Sequence, residues 1–171
     1  MRKFVLLAGS FAAIAAAIAM SAGAGTVATF TLTAGALSIS APTGPVALGP
    51  SQVATAGSHT FSGLLGTVTV TDERGGATGW VASVISTAFT PDITAAAVPA
   101  LNVSYVAGTV TVSALVTAVK PATTDLTGVS PVVNGTSTGI STASWNPTIS
   151  VFVPAASVAA LYTGTITHSV A

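Results

Sequence analysis

The stretch GTVTVTDERGGATGWVA at residues 66–82 shows the pattern on which most of the chain is built. Its first half alternates threonine with valine, a period of two that places successive side chains on opposite faces of a β-strand. Its centre is rich in turn-forming residues, and a second strand-like run, 80–88, follows. The two runs are predicted to pair as an antiparallel hairpin around a turn carried by Asp72, Arg74 and Gly75.

Short alternating runs recur along the rest of the chain, separated by Gly, Pro, Asn and Asp. These runs cover residues 29–33, 37–39, 101–105, 110–116, 149–153 and 162–170. Roughly seven to ten short strands at this spacing predict an all-β chain folded as an antiparallel β-sandwich, with an up-and-down β-barrel as the alternative.

The segments between the runs predict the connections. Residues 41–58 contain three prolines, each of which removes a hydrogen-bond donor, so a loop or an edge segment is expected there. A change of phase in the alternation predicts a tight turn or a bulge at Gly35. Residues 120–141 are predicted to form a long loop or a weak hairpin around 134–135, and 154–160 a single helical turn.

The start of the chain has the three parts of a secretory signal peptide. Two basic residues precede an apolar run at 4–20, and small residues follow up to Ala24. The apolar run, as a helix, is too short to cross a typical hydrocarbon core, and no later stretch is long and apolar enough to do so. We therefore expect a signal-peptide helix at 1–24, cleavage after Ala24, and a single mature domain at 25–171 that does not span a membrane.

Charge and cysteine content exclude several functions. Only 5% of residues are charged, and beyond the signal two basic residues, Arg74 and Lys120, stand against four acidic ones. Nucleic-acid binding requires clustered Lys and Arg and is not expected. With no cysteine, disulfides and thiolate metal sites are impossible. So low a charge suits a protein packed against a wall, a surface layer or copies of itself.

Catalytic constellations are not evident in the sequence. The two imidazoles, His59 and His168, occur in a loop or strand-edge context and in a terminal strand, without a paired nucleophile. Asp72 and Glu73 are adjacent, so an extended backbone would point them to opposite sides, and the other two acids are isolated. No calcium-loop spacing is present. The chain is therefore not expected to be an enzyme or to hold a cofactor or a metal.

The tryptophans admit two interpretations. Trp80 and Trp145 are large rings among Ala, Val and Thr, so each is expected to anchor the core. The alternative is a flat face on which a sugar ring stacks.

Two segments of the chain resemble the motifs of the WxL-domain cell-surface proteins of Gram-positive bacteria. Residues 66–82 resemble the proximal motif, in which Val-Thr-Asp-x-Arg-Gly runs into Gly-Trp-x-Leu, with Ala82 in place of the Leu. Residues 162–168 resemble the distal motif, a Tyr followed four residues later by an aliphatic residue in a final strand. The form of the motifs is similar to divergent relatives in high-GC actinobacteria.

The resemblance implies a secreted, extracellular protein that associates non-covalently with the cell wall. Its implied partner is wall glycan or peptidoglycan, and the motif residues implied to bind are Trp80, Ala82, Tyr162 and Ile166. The alternative is a self-assembling surface or fibre subunit without glycan binding, whose strand edges pair between copies. Other surface proteins, or the chain itself, would then be the partners.

Overall fold

A computed structural model of the protein describes residues 27–113, 116–119 and 125–171. The predicted signal peptide at 1–24 lies outside the described residues, as do Ala114 and Lys120. Among the residues described, no helix has the length and apolar character needed to cross a membrane.

The described chain consists of β-strands with one short 3-10 turn at Ala100–Asn102. The strands are β1 (Leu37–Ser40), β2 (His59–Leu64), β3 (Val68–Asp72), β4 (Thr78–Ser86), β5 (Thr90–Pro91), β6 (Val103–Val106), β7 (Val110–Val112), β8 (Val116–Val119), β9 (Ser130–Ser137), β10 (Ser141–Trp145), β11 (Thr148–Val153), β12 (Tyr162–Thr163) and β13 (Ile166–Val170). The prediction of an all-β chain is confirmed. The prediction that 41–58 forms no long strand is also confirmed, because β1 ends at Ser40 and β2 begins at His59.

The first two sheets have the strand orders β1-β3-β10-β7 and β2-β11-β6, and three stretches of chain each contribute one strand to both sheets. β2 continues into β3, β10 into β11 and β6 into β7, and all three stretches are interrupted, at 65–67, 146–147 and 107–109. The backbone N–H of Leu65 donates to the carbonyl of Pro147 at 2.9 Å, which joins two of the interruptions. We call these strands together the first layer.

The second layer consists of the sheet β13-β4-β9-β8 and the two-stranded sheet β12-β5. Here too the chain continues from one sheet to the other, because β4 leads to β5 and β12 leads to β13. Thr87 and Thr165 are hydrogen-bonded across this step at 3.0 and 2.9 Å. Every pairing in both layers is antiparallel, and no sheet in the described residues closes into a barrel. The antiparallel β-sandwich is therefore the observed fold.

The core lies between the layers, and along most strands buried or half-buried side chains alternate with more exposed ones. Fully buried positions include Val68 and Val70 of β3, Val84 of β4 and Ile149 of β11. The alternation read from the sequence thus corresponds to an inner and an outer face.

Residues 33–171 form one compact unit. Residues 27–36 contain no strand, so the prediction of one at 29–33 is wrong for the isolated chain. At Gly35 the backbone N–H donates to the carbonyl of Glu73 at 2.9 Å. A Cβ atom at Gly35 would lie 2.5 Å from that of Glu73, so glycine is required by close approach and not by a turn or a bulge.

The predicted hairpin between the runs 67–71 and 80–88 is wrong. β3 pairs with β1 and β10, whereas β4 pairs with β13 and β9, so residues 73–77 connect the two layers. Gly75 and Gly76 have φ values of 71° and 76°, which suit glycine. Turn-forming residues serve a hairpin and a connection between layers equally well, and local sequence therefore did not distinguish them.

Three further expectations are corrected by the structure. The predicted loop at 120–141 contains β9 in its described part, and Asn134-Gly135 lies within that strand. The run 110–116 is divided between β7 in the first layer and β8 in the second. Residues 154–160 form a turn and not a helix. The backbone N–H of Ser157 closes this turn by donating to the carbonyl of Pro154 at 3.3 Å.

Candidate functional site

Asp72 and Arg74, two of the residues predicted to form the hairpin turn, instead belong to a cluster of hydrogen bonds around the buried Asp72 carboxylate, which we call the clamp. Asp72 is the last residue of β3 and faces the interior in phase with Val68 and Val70. Arg74 donates to it from Nε at 2.9 Å, from Nη2 at 3.1 Å and from its backbone N–H at 3.1 Å. The same Nη2 also donates to the carbonyl of Gly79 at 3.0 Å.

Two hydroxyl groups of the second layer complete this clamp. Ser137 of β9 donates to Oδ2 of Asp72 at 2.8 Å, and Thr78 of β4 donates to the same oxygen at 3.1 Å. Hydrogen bonds from Arg74, followed by those from the hydroxyls, hold the pKa of Asp72 well below its usual range despite burial. Both oxygens of the Asp72 carboxylate thus accept hydrogen bonds within the protein, including two from the second layer, and neither is available to a ligand.

Trp80 and Ala82, two of the motif residues, lie in the core. Trp80 is 2% exposed and Ala82 is fully buried on the inner face of β4. The indole N–H of Trp80 has no hydrogen-bond partner among the described residues. Of the two interpretations of this tryptophan, the structure shows the core anchor, because a ring at this depth offers no face to a sugar.

Gly135 of β9 lies directly opposite Trp80 in the strand register. A Cβ atom at this position would overlap the six-membered ring of Trp80. Sequence reasoning placed Gly135 in a turn and missed this role, since nothing local to 134–135 indicates the ring on the neighbouring strand.

Trp145 is the start of a hydrogen-bonded chain through the core. Its Nε1 donates to the hydroxyl of Tyr105 at 2.7 Å, and that hydroxyl lies 3.2 Å from Nε2 of His168. The hydroxyl thus accepts from the indole and shares a second hydrogen bond with His168, in which the tautomer of the imidazole sets the donor. Burial lowers the pKa of His168 and raises that of Tyr105.

This chain links three strands of both layers, β10, β6 and β13. The rings of Tyr105 and His168 meet edge to face, with centroids 5.6 Å apart. The sequence placed both residues correctly in alternating strands but gave no sign that they meet. Their contact satisfies polar groups inside the core, and no nucleophile or acid is hydrogen-bonded to His168 among the described residues.

His59, the other imidazole, fastens the loop before β2. Its Nδ1 lies 2.9 Å from Oε1 of Gln52, and its Nε2 lies 3.1 Å from the hydroxyl of Thr55. Gln52 also donates from Nε2 to the carbonyl of Thr60 at 3.2 Å. These contacts hold residues 52–55 against the edge of β2.

The remaining acids serve local structure. Asp92 accepts from the backbone N–H of Leu161 at 3.1 Å, and Asp125 accepts from the N–H and hydroxyl of Thr127 at 3.3 and 2.9 Å. In the described part of the chain, no group of three or more His, Asp or Glu side chains is placed to hold a metal.

Tyr162 and Ile166, the other two motif residues, are half-buried on β12 and β13. The hydroxyl of Tyr162 donates to the carbonyl of Val158 at 3.0 Å. Ile166 lines a cavity of about 280 Å³ that also contacts Phe89 and His168. The four motif residues therefore do not form one surface, since two are buried and two lie elsewhere on the second layer.

Tyr162 borders two adjoining cavities of about 350 and 250 Å³, which we call the Tyr162 groove. Both cavities are lined by Gln52, Phe61, Val153, Ala160 and Tyr162. The larger one is mainly apolar, whereas Thr55, His59 and Ser157 add polar groups to the smaller one. No Asp, Glu, Lys or Arg lines either cavity, so the groove suits a neutral ligand.

Comparisons with known proteins were negative: no family model, curated protein or solved structure matches this chain.

Proposed function

We propose that the protein is an exported surface protein that associates non-covalently with the bacterial cell wall, and that the Tyr162 groove receives the glycan. The observation that carries this proposal is a half-buried aromatic ring in an uncharged groove with polar groups at one end. A sugar presents an apolar ring face together with hydroxyl and amide groups, which matches these two kinds of lining.

The assignment moves the binding role away from Trp80. Burial of Trp80 and Ala82 makes the proximal motif a determinant of folding, while Tyr162 of the distal motif remains at a groove. The signal peptide predicted at 1–24 and the low charge of the chain support export and close packing at a surface. The resemblance to WxL-domain proteins supports the wall as the partner.

Sedimentation with purified wall sacculi tests the proposal. The chain should pellet with sacculi, and Tyr162→Ala should reduce the bound fraction several-fold while circular dichroism stays unchanged. Phe152→Ala is the matched control, because Phe152 is an exposed aromatic residue of the first layer that does not line the groove. Equal loss for both variants, or no pelleting of the unmodified chain, would sink the proposal.

Glycan strands freed of their peptides define the ligand. If these strands compete with sacculi for the chain, the neutral glycan is the ligand, as the uncharged lining requires. Competition only by the peptide stems would contradict the assignment of the groove.

A further inference from the structure

The cavity of about 280 Å³ that Ile166 lines lies beside the loop connecting β1 and β2. Loop residues between 42 and 48 contribute to its lining, as do residues between 164 and 168 of the second layer. Leu65, Phe89 and Ile149 complete the lining. No Asp, Glu, Lys or Arg is among the lining residues, so this cavity, like the Tyr162 groove, suits an uncharged group.

His168 brings a polar atom with spare hydrogen-bonding capacity to this cavity. Its Nε2 lies 3.2 Å from the hydroxyl of Tyr105, whereas its Nδ1 has no hydrogen-bond partner in the described chain. Among the described residues, the fully enclosed side-chain atoms that lack a partner are Nε1 of Trp80 and the hydroxyl oxygen of Ser141, so Nδ1 of His168 retains contact with open space. Because burial lowers the pKa of His168, the ring is neutral at neutral pH, and Nδ1 donates or accepts one hydrogen bond according to the tautomer.

The cavity adjoins the Tyr162 groove. Val46, Leu48 and Phe89 line both the cavity and the larger part of the groove. Tyr162 borders the groove and Ile166 borders the cavity, so the two residues of the distal motif lie along adjoining depressions. A ligand seated in the groove can therefore extend past the ring of Phe89 into the cavity.

The loop beside the cavity is held in place by packing. In the described chain, no hydrogen bond joins residues 41–51 to another segment. Leu48 packs against the core, and a Cβ atom at Gly63 would lie 3.1 Å from its Cα. A Cβ atom at Gly66 would likewise lie 2.8 Å from Cγ of Pro42. Displacement of the loop breaks no hydrogen bond, which gives a ligand group a way into the cavity.

We propose that this cavity receives an acetamido group of the wall glycan, with Nδ1 of His168 as its hydrogen-bonding partner. The inference rests on the proposed function, since it names the part of the glycan that enters beside the Tyr162 groove. An acetamido group offers a carbonyl oxygen to an Nδ1 that donates and an N–H to an Nδ1 that accepts, so it fits either tautomer. Its methyl group meets the apolar part of the lining. A hydroxyl group would satisfy Nδ1 equally but would bring no apolar surface into the cavity.

Two disaccharides that differ only in this group test the proposal by NMR titration of the unmodified chain. Di-N-acetylchitobiose should bind at least about tenfold more tightly than cellobiose, which has hydroxyl groups in place of the acetamido groups. The indole N–H resonance of Trp145 should move with di-N-acetylchitobiose, because a hydrogen bond at His168 polarises the chain that runs through Tyr105 to Trp145. The indole resonance of Trp80, which lies outside that chain, is the internal reference. Equal binding of the two sugars, or binding without a change at Trp145, would overturn the inference.

Three variants separate this contact from the rest of the groove. His168→Phe removes Nδ1 and should abolish the preference for di-N-acetylchitobiose, with circular dichroism as the check on folding. Tyr105→Phe keeps Nδ1 and is the matched control, in which the preference should remain while the shift at Trp145 is lost. Tyr162→Ala should weaken the binding of both disaccharides by the same factor. A preference that survives His168→Phe would contradict the assignment of Nδ1.

Sedimentation with sacculi distinguishes failure of this inference from failure of the proposed function. If the unmodified chain pellets with sacculi but binds the two disaccharides equally, the inference fails and wall association stands. If the chain does not pellet, both fail. The comparison of the two sugars uses the unmodified chain, so it decides the question even if His168→Phe does not fold.

Discussion

Trp80 and Gly135 face each other across β4 and β9, and the indole ring of Trp80 fills the space in which a side chain at 135 would stand. The pair explains why a glycine occupies the interior of a strand that is paired on both sides. The ring of Trp80 reaches this depth only because the backbone opposite it carries no side chain.

Gly135→Ala is expected to destabilise the fold by about 2 kcal/mol, because the added methyl group forces the ring of Trp80 or the backbone to move. Urea denaturation followed by circular dichroism measures the change. Gly128→Ala is the control, since nothing lies within 4 Å of a Cβ atom there. Equal stability of the two variants would contradict the close packing of the ring.

Asp72→Asn is expected to lower the free energy of unfolding by about 2 kcal/mol at neutral pH, because the hydrogen bonds from Arg74, Ser137 and Thr78 lose a charged acceptor. Asp92→Asn is the control, as its amide oxygen still accepts from the N–H of Leu161. Thermal melting of both variants gives the comparison. A large loss of stability in Asp92→Asn alone would contradict the role of the Asp72 hydrogen bonds in stabilising the fold.

The pKa of Asp72 is depressed in the folded chain, which fixes the direction of an acid effect. Its contribution to stability is present above the unfolded pKa of about 3.9 and is lost as the pH falls through and below that value. Melting temperatures measured below about pH 4 should therefore drop more steeply for the unmodified chain than for Asp72→Asn. Parallel curves would show that the carboxylate is not held by the clamp.

The pKa of His168 is also lowered by folding, because the ring is buried against Tyr105. The unfolded chain then binds more protons at this residue, so stability falls as the pH drops below about 6.5. His168→Gln should flatten that part of the melting curve. If the melting temperature of His168→Gln falls with pH as steeply as that of the unmodified chain, a group other than His168 is responsible for the pH dependence.

Tyr105→Phe removes the hydroxyl that links Trp145 to His168 and leaves two polar atoms without their partner. We expect a loss of about 1–3 kcal/mol in the free energy of unfolding. Tyr162→Phe is the matched control, because its hydroxyl contacts only an exposed backbone carbonyl in the described structure. A smaller loss at Tyr105 than at Tyr162 would contradict the buried chain.

The strands were the most predictable part of the fold. Alternation at 68–72, 103–105 and 149–153 marks one buried and one exposed face, and each run is a strand with that burial pattern. The partners of the strands were not predictable, since the residues after Asp72 favour a tight turn whether the chain returns to the same sheet or crosses to the other layer.

The candidate site was predictable only in part. The motif predicts a binding role for Tyr162, which borders a groove, but the prolines of 41–58 predict only a loop and give no sign that 46–52 forms the other wall. The core position of Trp80 was expected from its size, whereas its contact with Gly135 depends on register between distant strands. Contacts of that kind join residues far apart in sequence, and a single chain carries no local trace of them.

The shared interruption of the first layer at 65–67, 107–109 and 146–147 divides its hydrogen-bond ladder across neighbouring strands at the same level. Within the interruption, the backbone N–H of Leu65 donates to the carbonyl of Pro147 and that of Gly66 donates to Oδ1 of Asn146. Because amide exchange follows local cooperative units, the halves should open independently, and slow exchange in β3 and β10 would not require slow exchange in β2 and β11. The first layer would then unfold as two local units, one formed by β1, β3, β10 and β7 and the other by β2, β11 and β6.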